Sequence, residues 1–330
     1  MRIAVVGAGA IGAYVGAALH RGGADVTLIA RGRHLEAMRA GGVQVLSPRG
    51  DFHAAVPATD DARSVGTVDY VVLGLKSQDY AASGALVQPL LGPETSLVPA
   101  QNGIPWWYFH GETGPYAERR IEAVDPGGAV SAVLDPRRAI GCVVYSSAEL
   151  QAPGVVRHIE GTRFTIGEPD GTDSERCQNF SEAMVAGGLK CPVESDIRSE
   201  VWLKLMGNAA FNPISALTGA TMVQIAQFEP TRRLAADVMT EVRDVAAALG
   251  RAPEISIERR LAGAERVGAH RTSMLQDLEA GKALELAPLV VAVVELAELT
   301  RVPVPALRAV AAATALLDRV ARGVEPGAMS

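Results

Sequence analysis

The run Ile3-Ala-Val-Val-Gly7-Ala8-Gly9-Ala10-Ile11-Gly12, continued to Asp25-Val-Thr-Leu-Ile-Ala30, decides the fold. Residues 3–6 are uninterruptedly apolar, the pattern of a parallel strand buried on both faces. The glycine triplet follows at once, an apolar helix is expected over 11–21, Gly22-Gly23 can end it, and 25–30 reads as a second strand. Alone, Gly-x-Gly-x-x-Gly says little. Between a strand and a helix, inside a strand-helix-strand unit of roughly 30 residues, it is a dinucleotide-binding fingerprint. Gly7 permits the tight turn, Gly9 lets the backbone approach a pyrophosphate, and Gly12 lets helix and strand pack closely, while the helix N-terminus offers its positive end. The expected cofactor contacts here are therefore Gly7, Ala8, Gly9, Ala10, Ile11 and Gly12.

The end of the second strand bears on which dinucleotide is bound. An NAD-preferring site usually places Asp or Glu there for the ribose hydroxyls, whereas this chain reads Ile29-Ala-Arg31-Gly-Arg33. No carboxylate repels a 2′-phosphate, and Arg31 can fork onto one, so NADP(H) is expected. A further strand is expected at 43–46 and a clear one over 69–76, with Lys76 just past its end, where open α/β sheets bind ligands. Lys76 is read as a second cation near the cofactor phosphate or ribose, although a surface lysine would stand there equally well. The next apolar run ends in Gln101-Asn102-Gly103, where Asn-Gly is also an ordinary turn signal.

Bulk properties narrow the class. A chain of 330 residues fits two domains. No apolar run of about 18 residues lacks polar breaks, so no membrane span is expected. Met1-Arg-Ile-Ala-Val-Val-Gly lacks the pattern of a signal peptide, so a cytoplasmic location is expected. The net charge of −6 and the absence of dense basic clusters argue against nucleic acid. Cys142, Cys177 and Cys191 are too widely spaced for a disulfide framework or a zinc site and are read as small buried hydrophobes. The six histidines form no metal-binding motif.

Further along, strands are expected at 139–145, 154–159, 163–166 and 191–194, with a helix over 173–186. Between 104 and 138 lies an irregular stretch bearing Trp106-Trp107-Tyr108-Phe109, read either as a lid over a pocket or as packing for the excursion itself. After residue 195 the pattern turns helical. The expected division is a Rossmann-type dinucleotide-binding domain over 1–195 and an all-α substrate and catalytic domain over 196–330, with the active site in the cleft between them. Leu234, Val238, Val242, Val245 and Leu249 mark one apolar helical face, and Leu307, Val310, Leu317 and Val320 another. These are core or subunit-contact stripes. A homodimer is compatible with them but demanded by no motif, and residues 322–330 read as a frayed tail.

One helix of this half carries chemistry. In Trp202-Leu-Lys204-Leu-Met-Gly-Asn208-Ala-Ala-Phe-Asn212-Pro213, the ammonium and two amides recur every four residues and share one face. A lysine so flanked can donate to a substrate oxygen, though alone the stripe would be a solvated polar face. Ser273 and Glu285 would by themselves be a helix cap and a surface acid.

Taken together, these separated motifs resemble the ketopantoate reductase (2-dehydropantoate 2-reductase) family along nearly the whole chain. They are Gly7–Gly12 with their intervening residues, Ala30-Arg31-Gly32, Lys76, Gln101-Asn102-Gly103, the Lys204/Asn208/Asn212-Pro213 helix, Thr272-Ser-Met-Leu-Gln-Asp277, and Glu285. The resemblance implies a C-terminal domain similar to that of 6-phosphogluconate dehydrogenase, and NADPH-dependent reduction of a 2-oxo acid, ketopantoate in pantothenate biosynthesis first among them. It makes Lys204 the proton donor and gives Asn208, Asn212 and Ser273 to the substrate. Asn102 would stand between substrate and nicotinamide, and Glu285 would orient one or the other. Three departures point to a more apolar pocket: the aromatic excursion, Leu286-Ala-Pro-Leu-Val-Val291 after Glu285, and Met222 in place of a further asparagine. A bulkier 2-oxo acid therefore stays open as the substrate, as does a protein that binds NADP(H) without turnover.

Overall fold

The computed structural model describes residues 1–324; from residue 325 on, the expected tail lies outside the described residues. The chain forms two compact units. Unit 1 comprises Met1–Gln101, Trp106–Arg120 and Asp125–Ile197; unit 2 comprises Asn102–Pro105, Ile121–Val124 and the chain from Arg198 onward.

Unit 1 opens with β1 (Arg2–Val6), α1 (Ala10–Arg21) and β2 (Asp25–Ile29). It continues with α2 (Gly32–Gly41), β3 (Val43–Leu46), β4 (Phe52–Ala54), β5 (Ala58–Thr59), β6 (Val68–Leu73), the short α3 (Gly84–Val87) and β7 (Leu91–Pro99). Five strands make a parallel sheet in the order β5-β2-β1-β6-β7. The chain steps outward from β1 on one side, then returns to continue on the other. The order thus reverses between β1 and β6, the crevice where doubly wound sheets bind ligands. Ile3, Val5, Val26, Leu28, Val71 and Leu73 are almost completely buried, as strands covered on both faces require.

Next come β8 (Gly141–Val144), β9 (Ser147–Ala152), β10 (Val155–Glu160), β11 (Phe164–Gly167) and α4 (Glu175–Ala186). The strand expected at 43–46 forms, but it joins a second sheet, β4-β3-β10-β9, rather than the parallel one. This second sheet and α4 pack on α1, which explains why Gly12 through Leu19 are buried all round. Tyr14 on α1 stacks on His158 of β10 with ring centroids 4.7 Å apart. At 191–194 the expected strand reduces to isolated parallel bridges, Arg163 with Lys190 and Ile166 with Val193. β9 was not foreseen, because Ser147-Ala-Glu-Leu-Gln-Ala152 carries only one large apolar residue on an exposed edge.

The aromatic run is core. Trp106, Trp107, Tyr108 and Phe109 are at most 5% exposed, so of the two readings of this run the packing one holds and the lid falls away. The Trp106 indole N–H donates to the Leu134 carbonyl at 2.9 Å, and its ring meets Tyr80 edge-on. Turns rich in glycine and proline offer few regular apolar positions, and four rings supply the area that holds this excursion in place.

Unit 2 is helical: α5 (Ile197–Thr218), whose first residue still belongs to unit 1, α6 (Met222–Gln227), α7 (Glu229–Ala248), α8 (Ile257–Val267), α9 (Ser273–Glu279), α10 (Ala292–Thr300) and α11 (Pro305–Ala321). On the predicted stripe of α7, Val238, Val242 and Val245 are fully buried. On α11, Leu307 and Val310 are buried while Val320 stands 65% exposed. Glu241 of α7 accepts from the backbone N–H groups of Ala306 and Leu307, so a carboxylate from α7 caps the start of α11. No helix among the described residues is long and apolar enough to cross a membrane.

Candidate active site

In unit 1 the residues expected to hold a dinucleotide gather at the carboxyl ends of β1, β2 and β6, which register side by side through Val6, Ile29 and Leu73. Gly7 adopts φ +88°, a conformation that L side chains rarely adopt. A Cβ on Gly12 would stand 2.3 Å from the Gly7 carbonyl oxygen, which itself allows no side chain on Gly74 at 2.4 Å. Over Gly9 a Cβ would meet nothing within 4 Å. The turn is thus closed where strand and helix meet and open where a phosphate would approach. No side chain caps α1 and no carboxylate lies in its first turn, so its leading N–H groups keep their partial positive charge for an anion.

Arg31 is the extended N-cap of α2, exposed and preceded by Ala30, with no acid at the strand end. Lys76 is half-buried and heads the short turn Ser77–Asp79 that follows β6. His34, one turn into α2, was passed over in the sequence. Its Nδ1 accepts from the Gly154 N–H at 2.9 Å, and burial pushes its pKa down, partly offset by the Ala8 carbonyl.

In unit 2, Lys204, Asn208 and Asn212 lie on one face of α5 as their spacing requires, the first two half-buried and Asn212 buried. The Lys204 Nζ donates to Asn102 Oδ1 at 2.6 Å. Asn102 is held there by its own loop. Gly103 has φ +82°, and a Cβ on it would strike the Pro288 carbonyl at 2.3 Å; that carbonyl accepts from the Ile104 N–H at 2.9 Å. Pro288 lies three residues beyond Glu285, in a first turn (Ala287–Val291) wound as a π-helix ahead of α10. Such turns recur at functional sites. The segment that departs from the family pattern is thus the one that fixes Asn102 against Lys204.

Ser273 opens α9 as an exposed residue behind Thr272, whose hydroxyl caps the helix by accepting from Leu275. It stands at the head of another helix rather than on the α5 stripe. Met222 begins α6, and its N–H donates to the His270 carbonyl, tying α6 to the strand of chain that leads to Ser273. Neither Gly207 nor Arg260 drew attention in the sequence, yet a Cβ on Gly207 would stand 2.4 Å from the Arg260 Nη2. A glycine inside an apolar helix has no periodic signature; only coordinates show what occupies its missing side chain. No group of three or more metal-ligating side chains is found among the described residues.

Comparison with known proteins gives the family of the chain. The family model described as ketopantoate reductase PanE/ApbA matches residues 3–171, and its C-terminal counterpart matches residues 196–318. A 2-dehydropantoate 2-reductase of Mesorhizobium japonicum is 48% identical over the full length of both chains, and one of Halobacterium salinarum is 31% identical over 97% of this chain and 99% of its own. Among solved structures, 2-dehydropantoate 2-reductase from Geobacter metallireducens superposes with a TM-score of 0.84 at 28% identity, covering 96% of this chain and 99% of that one. D-mandelate dehydrogenase with NADH shares the fold, with a TM-score of 0.79 at 18% identity over 97% of this chain and 99% of that one. Fold and relatives together define the class: an NADP-dependent oxidoreductase acting on CH–OH groups. The chain belongs to the ketopantoate reductase family.

Proposed function

We propose that the chain reduces 2-dehydropantoate to pantoate with NADPH, a step of pantothenate biosynthesis. The observation that carries this reading is the Lys204 ammonium fixed on Asn102 at 2.6 Å, in a chain 48% identical over its whole length to a 2-dehydropantoate 2-reductase. NADPH, when bound, supplies the hydride; Gly7 to Gly12, Arg31 and Lys76 would hold it by pyrophosphate, 2′-phosphate and ribose. Asn102 Oδ1 accepts a hydrogen bond from the Lys204 Nζ and so helps to fix the ammonium. As the ketone carbon becomes tetrahedral its oxygen gains charge, and Lys204 stabilises that oxygen and gives it a proton. Asn208 and Asn212, one and two turns along the same face, position the hydroxyl and carboxylate, with Ser273 as a further donor and Glu285 orienting substrate or cofactor. A protein that only senses NADP(H) would have no use for a held proton donor.

Replacing Lys204 tests this. Lys204→Ala is expected to leave NADPH binding near normal and to lower turnover by about two orders of magnitude or more; unchanged turnover removes Lys204 from the chemistry. Following NADPH absorbance with ketopantoate against larger branched or aryl 2-oxo acids tests the substrate, and preference for the larger acids would reassign it.

A further inference from the structure

We infer that Asp318 of α11 is a positioning residue for the reduction: it sets the place of the segment 284–288 and, through Pro288, the bond that holds Lys204 on Asn102. The inference rests on Lys204 as the proton donor. The buried row of α11 runs through Leu307, Val310, Thr314 and Asp318, at helical spacings of three and four, so a core-facing row ends in an acid. A buried carboxylate is costly unless its oxygens find partners. Here Oδ2 accepts from Arg322 Nη2 at 2.5 Å and Nε at 3.1 Å, while Oδ1 accepts from the Leu284 backbone N–H at 3.0 Å. Buried ion pairs can often be replaced by apolar side chains without loss of stability, so stability alone does not account for an acid at this position. What the acid does that an apolar side chain could not is grip Leu284.

The helix gives Asp318 a fixed base. Glu241 holds the first turn of α11 from α7, and Leu307 and Thr314 are completely buried.

From Leu284 the path to the ammonium is short. Leu284 is itself buried, and its carbonyl accepts from the Leu286 N–H at 2.9 Å, closing a γ-turn centred on Glu285. Two residues on, the Pro288 carbonyl accepts from the Ile104 N–H at 2.9 Å and stands so near Gly103 that a Cβ there would come within 2.3 Å of it. Asn102 precedes Gly103, and its Oδ1 accepts from the Lys204 Nζ at 2.6 Å. Each link is a hydrogen bond or a close backbone contact, so a shift at Leu284 reaches Asn102. A misplacement of about 1 Å at a reacting group can cost about a hundredfold in rate.

The test separates the grip from the charge. Asp318→Ala removes the acceptor and is expected to lower kcat about tenfold, with the Kd for NADPH unchanged. Asp318→Asn keeps an oxygen for Leu284 while ending the ion pair, and the part-exposed Arg322 can turn to water, so most of kcat should return. Asp318→Glu keeps the charge but displaces the oxygen by one methylene, and its kcat should fall towards that of Asp318→Ala. A kcat that follows charge instead, near normal in Asp318→Glu and low in Asp318→Asn, would overturn the assignment. These two conservative variants decide the matter even if Asp318→Ala does not fold. In an Asn102→Ala background, Asp318→Ala should cost little further turnover, because both changes release the same ammonium; losses that multiply would refute the path through Asn102. Lys204→Ala distinguishes this inference from the reading beneath it. Collapsed turnover there with full kcat in Asp318→Ala refutes Asp318 alone, whereas full activity in Lys204→Ala brings down the proton donor and this inference with it.

Discussion

At the carboxyl end of β2 the backbone passes through Ala30 into the extended N-cap Arg31, on which the proposed preference for NADPH over NADH rests. A phosphate ester on the ribose needs a cation and tolerates no nearby acid. Arg31 meets the first condition and Ala30 the second. Because Arg31 is exposed, an ion pair with the 2′-phosphate would be screened and worth less than a buried one. Arg31→Ala is expected to weaken NADPH by about tenfold with NADH left unchanged, as read by titrating the cofactor against protein fluorescence. An equal loss for both dinucleotides, or none, would place the 2′-phosphate elsewhere, Lys76 being the next cation to try. The resting geometry of Lys204 belongs to the same scale: its hydrogen bond to Asn102, an amide that carries no charge, helps to hold the ammonium.

Among the elements, the β1–α1 junction separates two roles of glycine that a motif merges. Gly12→Ala drives a Cβ into the Gly7 carbonyl at 2.3 Å, so it should lower stability by about 1–3 kcal/mol, seen as a lower Tm. Gly9→Ala meets nothing in the protein, and φ −72° suits alanine, so its Tm should hold while NADPH affinity falls. A Tm loss in Gly9→Ala, or retained affinity, would put the pyrophosphate elsewhere. This junction was legible in the sequence because all its determinants lie within about 30 residues and each has a local cause. The α5 stripe was legible for the same reason, since a spacing of four is a helical face. What escaped notice depends on distant partners: β9 pairs with β10 only once the second sheet exists, Pro288 grips a loop from the first half of the chain, and Gly207 is explained by an arginine on α8. The aromatic run was ambiguous because composition shows that rings are present but not which way they face.

For the whole molecule, all three thiols lie in unit 1 and all are buried. Burial pushes Cys177 up to about 12 and raises Cys191 as well, so both are protonated and doubly protected. A thiol reagent is expected to find no reactive cysteine in the folded enzyme and three in denaturant, and labelling then reports the opening of unit 1 specifically. Saturating NADPH at about one hundred times its Kd should raise that opening free energy by about 2.7 kcal/mol. Labelling indifferent to NADPH would mean that the dinucleotide does not bind the unit holding these cysteines.

The division into units has a practical sequel for anyone building hybrids from two relatives. Asn102–Pro105 and Ile121–Val124 belong to unit 2 although unit 1 surrounds them in the chain, and Glu295 accepts from the N–H groups of Glu122 and Ala123 at 2.8 Å. A gene spliced once near residue 197 would take its lysine from one parent and the asparagine that steadies it from the other. Grafting a new specificity onto this scaffold therefore means transplanting two tetrapeptides along with the helices.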